Sequence, residues 1–89
     1  MKAVITVTGK DSVGIIAKVA ARCSEAGVNI IDISQSVLKE YFAMIMLVDI
    51  DGIKSPFVQF VDDMSRLGEE NGLRISTMHE DIFNTMHHI

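Results

Sequence analysis

An α+β sandwich with the element order β-α-β-β-α-β is predicted by three features of this 89-residue sequence. The runs Lys2–Thr8 and Val28–Leu38 alternate along the chain and are rich in β-branched residues, as half-buried strands are. Two further segments, Val13–Cys23 and Phe57–Leu67, carry apolar residues at helical spacing. The run Tyr41–Ile50 is apolar on both faces, which places it inside a sheet.

Each element has its own justification. In Lys2–Thr8, Ala3, Ile5 and Val7 face one way and Lys2, Val4, Thr6 and Thr8 the other. Asp11 or Ser12 is placed to cap the next helix. Its apolar stripe reads as Val13, Ile16, Ala17, Ala20, Ala21 and Cys23, with Lys18, Arg22 and Glu25 opposite and Ile15 on the polar side. Gly27 stops this helix. In Val28–Leu38, Ile31, Ile33 and Val37 oppose Asp32, Ser34 and Ser36, which reads as an edge strand with one solvated face. Lys39-Glu40 joins it to the next strand without the usual Asn-Gly of a tight hairpin.

In Tyr41–Ile50, Phe42, Met44, Met46, Val48 and Ile50 share one face, and Tyr41, Ala43, Ile45 and Leu47 the other. Cover is therefore expected on both sides. Asp51-Gly52 is a turn; Ser55 is expected to cap the second helix with Pro56 at its first position. Phe57, Phe60, Val61, Met64 and Leu67 form its apolar stripe, and Asn71-Gly72 ends it. Leu73–Met78 is the last strand. Right-handed crossovers then give a four-stranded antiparallel sheet with both helices on one face, the ferredoxin-like arrangement, with the first and third strands in the middle. In the tail His79–Ile89, Ile82, Phe83, Met86 and Ile89 fall on one side of a short helix. This C-terminal extension, 79–89, is expected to pack on the open sheet face or against a partner subunit.

Composition narrows the function. The length fits one domain whose modest core gains from association with a second copy. Apolar residues make up 48%, too many for disorder, yet no apolar run is long enough for a membrane span. The opening residues turn polar too soon for a secretory signal, and Cys23 is the only cysteine, so a cytoplasmic location is expected. The net charge of −4 comes without any Lys/Arg cluster, which argues against nucleic acid as a partner. No nucleophile–base pair, phosphate loop or Cys-x-x-Cys is visible, so neither a catalytic residue nor a cofactor is assigned. His79, His87 and His88 lack the i, i+4 spacing of a helical zinc pair, so no metal site is assigned and a solvated tail is expected. Cys23 lies on the helical apolar stripe and reads as a buried structural thiol.

The loop Gly9-Lys10-Asp11-Ser12-Val13-Gly14 carries the chemistry. It brings backbone N–H groups at a helix N-terminus beside a carboxylate. The amides around Val13 and Gly14 suit the carboxylate of a small zwitterion, and Asp11 suits its ammonium. Helix capping alone would also explain Asp11, and a turn role would explain Asn29.

The segments V-T-G-K-D-S-V-G-I-I-A-K-V and E-A-G-V-N-I-I-D-I resemble the ACT domain, a small ligand-sensing module of amino-acid metabolism, over residues 2–78. They look like small stand-alone single-domain ACT proteins and are similar to the halves of the glycine-cleavage transcriptional antiactivator. The resemblance implies a homodimer with an amino-acid effector at the subunit interface. In serine-sensing ACT domains the loop Asp/Asn and the Asn of Gly-x-Asn-Ile contact the effector; these match Asp11 and Asn29, and Gly14 matches the loop glycine. Val13 stands where the family has proline, and Gly9 where some serine-sensing members have His. The expected ligand-binding set is Asp11, Ser12, Val13, Gly14, Asn29 and Ile30, with the loop of one subunit meeting the Val28–Ile31 strand start of the other. A partner enzyme or regulator would read the bound state, since no output domain is visible. The alternative is an interaction module that uses the same fold without a ligand.

Overall fold

In the computed structural model, residues 1–10 and 14–86 are described. The chain forms β1 (Lys2–Lys10), α1 (Ile15–Ala26), β2 (Asn29–Leu38), β3 (Tyr41–Asp49), α2 (Phe57–Glu70), β4 (Arg74–His79) and α3 (Glu80–Met86). The strands make one antiparallel sheet in the order β2-β3-β1-β4, so β1 and β3 are central and β2 and β4 are edges. The ferredoxin-like order and the central place of the two-faced strand are as the sequence predicts.

Both helices lie on the sheet face that carries Ala3, Ile5, Val7, Met44, Met46 and Val48. Ile15, Val19 and Cys23 of α1 and Phe60, Met64 and Leu67 of α2 complete this core. Fully burying one such side chain contributes about 1.5–3 kcal/mol, so this layer dominates the fold's stability. The stripe on α1 departs from expectation. Ile15 is 2% exposed rather than solvent-facing, while Ala17 and Ala21 are exposed. The large residues Ile15, Val19 and Cys23 recur every fourth position and take the core; alanines have too little surface to compete for it.

Both helix ends hold glycines in the left-handed region. After α1, Gly27 (φ 76°) lets Val28 N–H donate to the Cys23 carbonyl at 2.8 Å. After α2, Gly72 (φ 67°) follows Asn71, and Leu73 N–H donates to the Gly68 carbonyl at 2.8 Å. Both are six-to-one C-terminal closures. The start of α2 differs from expectation. The helix begins at Phe57, Pro56 holds the cap position with extended ψ (141°), and no side chain caps it. The Pro56 carbonyl instead accepts from Gln59 and Phe60 N–H, so the cap is backbone alone.

The opposite sheet face is only partly covered within one chain. α3 packs on β1 and β4, and Val4 on that face is 4% exposed. Tyr41 and Ile45 of β3 stay exposed on the same face, so the cover expected over β3 is missing there. On β2 both faces are exposed from Ile31 to Leu38, where one covered face was expected. A bulge at Ile31 breaks its pairing with β3 between Ile30 and Asp32.

Cys23 is buried, and desolvation raises its thiol pKa to about 11 from an ordinary value of 9.0. The thiol is therefore inert at neutral pH. The folded state holds this proton more tightly than the unfolded chain. Its contribution is thus present below pH 9 and lost as pH rises through about 11, at most roughly 1–3 kcal/mol. In denaturant titrations, Cys23→Ala is expected to flatten the stability decline between pH 9 and 11 relative to the parent.

Candidate functional site

The expected site splits into two parts. Asp11, Ser12 and Val13 lie outside the described residues. Gly14 occupies the cap position of α1 with φ 81°, and its carbonyl accepts the first helical bond from Lys18 N–H at 3.1 Å. The amides of Ile15, Ile16 and Ala17 precede that bond and have no acceptor within the helix. No side chain among the described residues caps this end, and its first turn has no acidic residue. A Cβ built on Gly14 meets nothing within 4 Å among the described residues. Positive potential at a helix start favours an anion.

Asn29 and Ile30 open β2. Asn29 is exposed and pairs with Asp49; Ile30 is half-buried and pairs with Val48. Asp49 in turn pairs with Lys2, the first residue of β1, whereas Gly14 follows the far end of β1, where Lys10 pairs with Tyr41. Within one chain, the length of α1 therefore separates Gly14 from the Gly27–Asn29 end, about 20 Å at about 1.5 Å per residue.

The end that bears Asn29 is locked in place. Gly27 and Gly52 approach backbone to backbone, and Lys54 N–H donates to the Ala26 carbonyl at 2.8 Å. Asp51 N–H donates to Asp49 Oδ1 at 2.9 Å. The Met1 amino group donates to Asp51 and lies 4.0 Å from Asp49. That hydrogen bond raises the amino group's pKa although the group is fully exposed. Asp49 and Asp51 thus frame the start of β2.

The sequence reading missed the exposure of β2. Ile31, Ile33, Val37 and Leu38 are all solvent-exposed, Leu38 to 72%. The signal was there: Asp32 is the only charged residue in this strand, so nothing guards a long edge against pairing. Among the described residues no three His, Cys, Asp or Glu side chains gather as metal ligands, and His87 and His88 lie outside them. No helix among them is long and apolar enough to cross a membrane.

A four-stranded ferredoxin-like sheet with two helices on one face defines an α+β domain with an uncovered edge strand. Residues 2–78 match the ACT domain family, and the chain belongs to it. It is similar to a UPF0237 protein of Clostridium perfringens, 47% identical over 89 residues and covering 100% of both chains. It is similar in structure to an ACT domain protein from Streptococcus pneumoniae, with a TM-score of 0.80, 42% identity and 93% of each chain covered. A glycine cleavage system transcriptional repressor shares the fold with a TM-score of 0.68 and 29% identity, over 85% of this chain and 43% of that one.

Proposed function

We propose that this ACT domain works as a homodimeric sensor of a small amino acid. The observation that carries the reading is the separation of Gly14 from Asn29. β2 runs from the Asn29 end of the sheet to the Leu38 end, and α1 starts at the Leu38 end. Antiparallel pairing of β2 with the β2 of a second copy, about a two-fold axis, would bring each Asn29 to the other chain's loop. Two equivalent clefts would result. In each, Asp11 would hold the ammonium, and the Val13 and Gly14 amides with Ser12 would hold the carboxylate. Asn29 and Ile30 of the second copy would close the cleft.

The ligand would span the interface, so its binding energy would bias how the subunits pack, and a partner protein would read that bias. The glycine cleavage repressor, a regulator with a similar fold, supports a regulatory role. The apolar β2 edge would equally serve a dimerisation module without a ligand, and calorimetry separates the two. Titration of the parent with the common amino acids is expected to give heat and a melting shift for a small one. Asp11→Ala is expected to weaken that binding about 10- to 150-fold, the loss of one charge-assisted contact of about 1.5–3 kcal/mol. Absence of heat for every amino acid would leave the dimerisation module.

A further inference from the structure

The turn that ends α2 carries reactive groups. Asn71-Gly72 sets an amide side chain before a residue with no side chain. Asn29 and Asn84 instead precede Ile30 and Thr85, whose branched side chains crowd the following backbone nitrogen. Gly72 is exposed, and a Cβ built on it meets nothing within 4 Å among the described residues. The fold nevertheless holds the reacting atoms apart. The Asn71 ψ of 11° nearly eclipses Gly72 N with the backbone nitrogen of Asn71 itself. Attack on Asn71 Cγ needs Gly72 N eclipsed with Cβ, about a third of a turn away around the Cα–C bond. Two backbone hydrogen bonds oppose that swing. Gly72 N–H donates to the Glu69 carbonyl at 3.3 Å, and Leu73 N–H donates to the Gly68 carbonyl at 2.8 Å. The half-buried Asn71 side chain is tied at both of its polar atoms. Nδ2 donates to the Leu67 carbonyl at 2.8 Å, and Oδ1 accepts from Lys18 Nζ of α1 at 2.7 Å.

We infer that Asn71 is a site of spontaneous deamidation gated by the joint between α2 and β4, which Lys18 helps to hold shut. Water is the only co-reactant. Gly72 N bonds to Asn71 Cγ; its proton and the side-chain amino group leave as ammonia, and a five-membered imide closes. Water then adds at either imide carbonyl and breaks that carbon's bond to nitrogen, which leaves aspartate or isoaspartate at position 71. The reaction waits on local opening, because the Gly72 and Leu73 hydrogen bonds must break before ψ swings. The Lys18 ammonium polarises the Asn71 carbonyl, but polarisation is idle while Gly72 N faces away, so restraint outweighs activation. Both products damage the joint. Aspartate loses the donor to Leu67 and puts a negative charge at a helix C-terminus, where the dipole opposes it. Isoaspartate adds a methylene to the backbone before Gly72 and throws the core residue Leu73 out of step with Gly68. That contact has no slack, since a Cβ on Gly68 would stand 2.9 Å from the Leu73 carbonyl oxygen.

The test ages the full chain in mildly alkaline buffer and follows the tryptic fragment 67–74 by mass, which rises as –NH2 becomes –OH. The acetylated and amidated peptide Glu-Glu-Asn-Gly-Leu-Arg supplies the unrestrained rate. Asn71 of the folded chain is expected to convert about tenfold or more slowly than the peptide, and to match it in denaturant. Lys18→Met keeps the aliphatic stem and is expected to speed conversion about two- to tenfold, the loss of one hydrogen bond. Lys18→Arg keeps a donor and is expected to restore the slow rate. The aged chain is expected to melt lower than the fresh one. Conversion of the folded chain as fast as the peptide, or a Lys18→Met rate equal to the parent's, would overturn the inference. So would equal acceleration by Lys18→Met and Lys18→Arg, which would trace the effect to general loosening. Isomerisation at Asp51-Gly52 leaves mass unchanged and lies outside the fragment. No readout depends on an amino acid or a second copy, so the result stands apart from the amino-acid titration.

Discussion

Gly27→Ala is expected to lower the melting temperature by roughly 8–40 °C, at about 4–8 °C per kcal/mol for a domain of this size. Two costs combine. The native φ of 76° is left-handed, which disfavours a residue with a Cβ by about 1–2 kcal/mol. The added Cβ would also stand 2.4 Å from the Gly52 carbonyl oxygen, a backbone atom that cannot rotate away. Relief needs a shift of the β3–α2 turn or of the end of α1, at about 1–3 kcal/mol. The total, about 2–5 kcal/mol, is a large part of the stability of a small domain. Gly72→Ala supplies the control, because φ there is 67° and its Cβ would meet nothing within 4 Å. Its expected fall is about 4–16 °C, the conformational cost of about 1–2 kcal/mol alone. Equal falls for the two variants in thermal circular dichroism would show that the contact with Gly52 is unimportant. The effect bears on function because this turn delivers Val28 and Asn29 to the start of β2.

Much of this architecture was legible because its signals are local and redundant. Met44, Met46 and Val48 alternate with Ala43, Ile45 and Leu47, and only a central strand tolerates that. Gly27 and Asn71-Gly72 closed the helices where expected. Errors arose where chemical type stood in for size. Ala17 and Ala21 counted as apolar, yet Ile15 and Val19 have the surface worth burying, so α1 is rotated from the expected stripe. Ser55 looked like a cap because capping residues are defined by type, but the Pro56 carbonyl does that work through the backbone.

The site was legible in part for a different reason. The loop glycine and the helix start are encoded side by side, whereas the relation of Gly14 to Asn29 is a property of the sheet. Register alone shows that one chain holds them at opposite ends. The exposure of β2 also depends on what surrounds it. Alternation in Val28–Leu38 announced a strand, but it could not announce that α1 leaves Ile33 and Val37 uncovered at the edge.

That exposure makes the double variant Ile33→Lys/Val37→Lys the sharpest probe of the proposed dimer. Both side chains point to the helix side of β2, as partners of Met46 and Phe42. In a single chain they are already solvent-exposed, 38% and 69%, so lysines there keep their charges in water and shift monomer stability by about 0.5 kcal/mol or less each. In a β2-paired dimer the same positions face the second copy's edge. Four ammonium groups would then crowd one seam, and each unpaired charge withdrawn from water costs several kcal/mol. The dimer dissociation constant is therefore expected to rise by more than about a hundredfold, or about 2.8 kcal/mol. Sedimentation velocity should find the parent as a dimer and the variant as a monomer with an unchanged circular dichroism spectrum. Amino-acid heat should vanish with the dimer, because each proposed cleft would borrow Asn29 and Ile30 from the other chain. A variant that stays dimeric would move the interface off β2. A monomer that still binds with parental affinity would place every ligand contact on one chain and overturn the shared cleft.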